Sequence, residues 1–444
     1  MKNWRQVRAL AAAQTAVDAD GSAALDGLPP GARPTARLRY VDGEDLFVNW
    51  IWDHQRESPR MTMIPRALVA PALAEFAAAL PSPLPGESGE QALRRALTDG
   101  PLLDLEREQH LAETLTAALV PQWLALELNA FETAGMRPHL RIQLSPSTAE
   151  LPWELISSSH GERGIDMVDV SVLLPASLRN DPARRVSPWT PGSAVAAVLD
   201  PAVPGFAATS VLGSVLGPVG ADSPLARMVA DLGARVVPEL PETATGAFRR
   251  TDIGRDALAA AASDAGRLLY VGHVTSSTHA LGARMHLSDT TEVAGFAAPI
   301  GNHRPYSAAD IALGRPGSPA LRSPNRVALI ACDSGSDMRF AEPTGLVAAF
   351  AHRGAEYVTA TRWTLPTEAG LRRLAPVLGE RAEGMLSEAI LAVNAAHETE
   401  DPVAALGAWQ REQRRLWTTT GDPRHSPIIW GALSTAWAPV PPKL

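Results

Sequence analysis

Between residues 194 and 380 the chain alternates short β-branched runs with stretches of helical periodicity, an order that few folds accept. The runs are 194–199, 235–238, 268–272, 326–331 and 357–361, and residues 224–232, 254–265, 342–353 and 367–380 carry apolar side chains at helical spacing. Strand, helix, strand, helix predicts an α/β fold with a mainly parallel central sheet covered by helices on both faces. In such sheets chemistry collects at the carboxyl ends of the strands. Upstream, residues 37–41 and 46–52 flank the Asp42-Gly43 pair and read as a hairpin, 67–80 and the long stretch 102–133 read as helical, and 139–144 reads as a strand.

Pro, Gly and Ser concentrate at residues 27–34, 81–89 and 181–192, which end elements, and the last looks like a boundary. The expected organisation is a smaller, mostly helical α+β region over 1–136, then a unit over 137–444 with a leading segment (137–190) and a main part (191–444). Of the two histidines in the first region, His54 follows an aromatic run and His110 lies in a charged helical stretch. That region is therefore expected to regulate or recruit partners, with a long helix through 105–128 as its lever.

Composition removes several chemistries. The only lysines, Lys2 and Lys443, sit at the two ends, so a P-loop, a kinase-type lysine, a pyridoxal-phosphate Schiff base and a Ser-x-x-Lys nucleophile are all excluded. One cysteine, Cys332, leaves no intramolecular disulfide and no multi-thiolate zinc site. A formal charge of −8 offers no global field for nucleic acid or an anionic membrane, and no run of 18 apolar residues occurs. No cofactor, nucleic acid or membrane partner is expected, and a cytoplasmic location is.

Two strand ends carry reactive side chains: LLYVG runs into His273 and VALIA into Cys332. Parallel strands bring both to the same sheet edge, where an imidazole can stabilise a thiolate. The alternative is a buried, inert cysteine and a structural histidine. Three histidines at 273, 279 and 286 with Asp289 fit no zinc spacing, and HExxH is absent, so no metal site is expected.

The run VALIACDSGSD, followed by GLVAAFAHRGAEYVTATRW, resembles the signature of CHAT domains, relatives of caspases and separases. LPWELI (Leu151 to Ile156) and HSPIIWGAL (His425 to Leu433) are similar to the family's upstream and closing segments, and the blocks stand in family order over about 137–444. The resemblance implies a caspase-like α/β sandwich and a cysteine endopeptidase with His273 and Cys332 as catalytic residues. The backbone N–H groups of Cys332 and Val274 would then serve the oxyanion. Two positions depart from the family pattern: Val274 stands where glycine usually follows the histidine, and Thr367 where aspartate is common, with Glu368 beside it.

In caspase-like folds the pocket before the scissile bond is lined from positions that here hold Asp200, Asp333 with Asp337, and Trp363. As substrate-binding residues the carboxylates would favour a basic side chain; as turn residues they would not. The resemblance implies a protein substrate, such as a gasdermin-like pore former encoded by a neighbouring gene, a regulatory protein as a further partner, and a role in bacterial defence or cell death. The alternative is an inactive CHAT module acting as an adaptor, for which Val274 is the motive.

Overall fold

The computed structural model of the chain describes residues 21–158, 161–315, 320–340 and 344–439. Its strands in chain order are β1 (Thr35–Asp42), β2 (Leu46–Trp52), β3 (Arg60–Ile64), β4 (His139–Gln143), β5 (Asp169–Val172), β6 (Val195–Leu199) and β7 (Val236–Val237). They continue with β8 (Arg267–Val271), β9 (Val274–Thr275), β10 (Arg284–Met285), β11 (Tyr306–Ser307), β12 (Arg326–Ile330), β13 (Tyr357–Thr361) and β14 (Leu433–Trp437). Eleven of them form one sheet in the order β3-β2-β1-β4-β5-β14-β13-β12-β8-β6-β7, while β11-β10-β9 make a small second sheet.

The expected mainly parallel α/β architecture is present. β6, β8, β12 and β13 pair in parallel, and VAAVL of β6 and RVALI of β12 are buried at every position. Such runs suit strands covered on both faces. Side chains divide between two cores: Leu269, Val271, Ala328 and Ile330 join one, and Leu268, Tyr270, Leu329 and Ala331 join the other. This period-two division fixes which side of the sheet each strand-end residue faces.

Three features differ from the sequence-based expectation. The helix expected through 105–128 is two helices, Leu105–Leu119 and Gln122–Thr133, because Pro121 lacks an N–H and forces Val120 to an extended conformation (φ −94°, ψ 117°). A third N-terminal strand, β3, extends the hairpin. The expected helix over 367–380 stops at Leu374, and a short 3₁₀ turn, Gly379–Ala382, follows. Part of the expected helix over 342–353 lies outside the described residues; Leu346–His352 is helical.

The N-terminal strands are not a separate layer. β1 pairs in parallel with β4 from Thr35–His139 to Arg39–Gln143, so the sheet crosses residue 136 without a break. The Pro-rich stretch near 181–192 is likewise built in: Arg184 is buried there and donates to the carbonyls of Ala351, Ala355 and Ala438. No helix among the described residues is long and apolar enough to cross a membrane.

Candidate active site

The register of β8 against β12 pairs Val271 with Ile330, and His273 and Cys332 each stand two residues beyond that pair. Alternation from Val271 and Ile330 carries both onto the same face of the sheet. The N-terminal helix Arg66–Ala79 joins the core on that face, where its Phe76 packs edge-on against Trp363 at 6.2 Å.

The turn after β12 is held tightly. Ser334 Oγ donates to the Leu329 carbonyl at 2.6 Å and Gly335 N donates to the Thr361 carbonyl at 2.9 Å. Cys332, half-buried at the start of this turn, directs its sulfur at the Leu365 carbonyl, 3.5 Å away. Although part of the residue's surface is open, burial around the sulfur pushes the thiol up to about 11, and the neighbouring Asp333 carboxylate adds to the shift. His273 Nε2 lies 3.0 Å from the Gly213 carbonyl. Burial lowers the imidazole below its ordinary value, against the opposing effects of that hydrogen bond and of Asp200. Burial thus favours the neutral thiol and the neutral imidazole, and among the described residues each side chain is hydrogen-bonded to a backbone carbonyl, not to the other.

This electrostatic state is open to a direct test, because the chain has one cysteine and whole-chain mass reports its modification without ambiguity. Alkylation of Cys332 by iodoacetamide is expected to rise by roughly tenfold per pH unit between pH 7 and 9.5, following the thiolate fraction. A rate that levels off below pH 8 would instead reveal a preformed ion pair.

Val274 begins β9, the edge strand of the small sheet, and pairs with Met285. His286 N donates to the His273 carbonyl at 3.1 Å, which makes 273–286 the hydrogen-bonded pair and 274–285 the non-bonded one. The Val274 N–H thus faces the open edge of β9, and among the described residues it has no protein acceptor. A valine side chain does not prevent this orientation, since the position is extended and only the amide is needed.

The proposed specificity residues are distributed differently. Asp200, directly after β6, and Asp333, three residues beyond β12, both take left-handed backbone conformations, with φ of 50° and 51°, which aspartate tolerates. Asp200 accepts from Ser214 Oγ at 2.5 Å and Val215 N at 3.0 Å, with Arg249 3.5 Å away. Asp333 accepts from Arg339 at 3.2 Å and Ser82 Oγ at 3.4 Å. Asp337 is buried and caps the helix Leu346–His352 through the N–H groups of Val347 and Ala348, and burial raises it to about 6. Trp363 is 0% exposed and donates to the Ile428 carbonyl at 3.1 Å, so it is a core residue with no surface to offer a ligand.

The three sequence blocks meet here. Glu154 of LPWELI forms a buried ion pair with Arg362 at 2.8 Å, Arg362 also donates to the carbonyls of Gly431 and Leu433, and Trp363 reaches Ile428 in HSPIIWGAL. Together they make the floor beneath the Cys332 turn. Thr367 accepts from Gly370 N at 3.1 Å as the cap of the helix Glu368–Leu374, the job an aspartate would do there. Glu368 is engaged elsewhere, with Ser387.

Sequence reasoning missed Ser82, Glu150 and Arg339. Arg339 bridges Asp333 and Glu150, the latter at 2.5 Å, and Ser82 Oγ also accepts from Thr364 N at 3.1 Å. Only Arg339, six residues after Asp333, left a signal close enough in sequence to read. The histidines considered for a metal are parted: His279 is exposed, while His286 is buried and hydrogen-bonded to His303 at 3.2 Å.

Residues 109–437 match the CHAT domain. Their start lies inside the helix Leu105–Leu119, ahead of the boundary expected near 136. Among solved structures, the Saccharomyces cerevisiae separase–securin complex contains a similar chain at 9% identity and a TM-score of 0.42, with 98% of this chain covered. This chain spans 31% of that one. No curated protein matches. With 329 of its 444 residues inside the matched segment, the chain belongs to the CHAT-domain family.

Proposed function

We propose that the chain is a cysteine endopeptidase in which Cys332 is the nucleophile and His273 the general base and acid. The observation that carries this reading is the shared register: nucleophile and base leave adjacent parallel strands at equivalent positions, on one face and at one edge. The Cys332 sulfur attacks the peptide carbonyl as its proton passes to His273, the imidazolium then protonates the departing amine, and water releases the acyl group. The Val274 N–H is free to receive the developing oxyanion charge. Membership in the CHAT family supports the chemistry, and a protein partner in bacterial defence or cell death, such as a gasdermin-like pore former, is the substrate class it suggests. Residues 1–136 take part through Ser82, which touches both Asp333 and Thr364, and this contact supports a regulatory or partner-binding share for that region.

A second reading, a CHAT module that binds partners without cutting them, is favoured by the protonated resting thiol and by the engagement of His273 with Gly213. Incubation with a mixed peptide library, followed by mass spectrometry of the products, separates the two. Cleavage at defined bonds is expected. Because Asp200 and Asp333 already have arginine neighbours, selectivity for Arg or Lys before the scissile bond is expected to be weak, less than about tenfold. A strong basic preference would mean that Arg249 or Arg339 gives way to substrate, and an intact library with unimpaired partner binding would leave the adaptor.

A further inference from the structure

Tyr270 is the fourth residue of β8 and 0% exposed, yet its hydroxyl does more than fill the core. It donates to the His273 carbonyl at 2.7 Å, with a longer branch of 3.1 Å to the His286 carbonyl, and it lies 3.3 Å from His286 N. A phenol has one proton, so the shorter contact holds it. The same His273 carbonyl receives His286 N at 3.1 Å. Two donors therefore converge on one oxygen from two different elements.

That oxygen belongs to the peptide joining His273 to Val274. The unit is planar, and in a trans peptide the C=O and the N–H point in opposite directions. Fixing the oxygen therefore fixes the direction of the Val274 N–H, and a carbonyl that accepts two hydrogen bonds polarises the amide at its other end. The space for the phenol is reserved by Gly272, where a Cβ would lie 2.8 Å from the Tyr270 oxygen. The following residue tightens the same peptide from the other side, because a β-branched valine restricts the backbone it belongs to. β9 is further pinned by a buried chain in which Thr275 meets His286 at 3.1 Å, His286 meets His303 at 3.2 Å, and His303 meets the Asp289 carbonyl at 2.8 Å.

We propose that Tyr270 is a positioning residue for the oxyanion site: its hydroxyl, by holding the His273 carbonyl, aims and polarises the Val274 N–H. This rests on the peptidase reading for its catalytic meaning, but its geometry is independent of it.

The sequence supplies a clean probe, since 273–274 is its only His-Val step. Protein labelled with carbonyl-¹³C histidine and ¹⁵N valine shows that single amide by NMR. Tyr270→Phe is expected to move this signal. On the fluorogenic peptide that the wild type cleaves fastest, it is expected to lower kcat by about tenfold with KM within about twofold, a smaller loss than removing an oxyanion donor outright. Gly272→Ala, which displaces the hydroxyl without deleting it, should move the same signal and lower kcat in the same direction. Tyr40→Phe is the control: Tyr40 also donates from a buried hydroxyl to a carbonyl, that of Leu119 at 3.0 Å, but far from β9. It should cost comparable thermal stability and leave both the signal and kcat unchanged.

An unmoved Val274 amide in Tyr270→Phe overturns the proposal, as does an equal kcat loss in Tyr40→Phe. Should the wild type cleave no peptide, the peptidase reading falls, and the amide signal still decides whether Tyr270 aims the Val274 N–H.

Discussion

Cys332→Ala is expected to reduce cleavage to background, a loss of roughly a thousandfold or more, while the thermal melt stays within a few degrees of the wild type. The exchange removes one sulfur atom from a half-buried position whose only described side-chain hydrogen bond is a long contact to the Leu365 carbonyl. Little packing is lost, and the turn around it is held by Ser334 and Gly335 instead. His273→Ala should be nearly as damaging, and the double variant no worse than either single one, because nucleophile and base act as a unit and their losses do not add. Measuring melt and turnover on one preparation separates fold from chemistry. Cleavage that survives in Cys332→Ala would remove the nucleophile assignment altogether.

A chain beginning at residue 137 is expected to be insoluble or to lack a cooperative melt. Its loss would strip β1 from β4 along five register pairs and leave an open strand edge in the middle of a large sheet. Phe76 would leave Trp363, Thr98 would leave the Leu374 carbonyl, and Glu108 would leave the buried Arg163 and Trp417, two groups then without their carboxylate. An uncompensated buried charge alone costs several kcal/mol, on the order of 3–5. Solubility, size-exclusion elution and a thermal melt report the outcome. A monomeric 137–444 fragment with a sharp transition would show that the N-terminal strands are an accessory and that the sheet closes without them.

The parts of the fold that were legible in the sequence are those with a local signature. Five-residue apolar runs such as VAAVL and RVALI announce strands buried on both faces, and the Asp42-Gly43 pair announces the hairpin that ends with Asp42 opposite Leu46. The strand-end placement of His273 and Cys332 followed from the same pattern. What escaped was non-local. Nothing in residues 35–42 says that they pair with 139–143, because parallel pairing leaves no turn between partners. Pro121 interrupts the helix, yet the apolar period runs on unchanged on both sides of it, so the pattern alone does not show the break. The counter-charge of Asp333 comes from Arg339, and its hydroxyl partner, Ser82, lies 251 residues away. Charge at a strand end can be read from sequence; whether that charge is already answered depends on contacts between distant segments.

The contact between His273 and Gly213 has a consequence for the location of protons. A carbonyl oxygen only accepts, so the 3.0 Å bond places the hydrogen of the neutral ring on Nε2 and the lone pair on Nδ1. In the resting chain Nδ1 is therefore the nitrogen whose lone pair is available to a proton. The choice of tautomer is made by one backbone carbonyl in the segment between Asp200 and Asp222, which is tied down at Ser214 and Val215 by Asp200. Withdrawing that carbonyl would free the ring to exchange tautomers, changing which nitrogen is basic with no heavy atom of the histidine displaced.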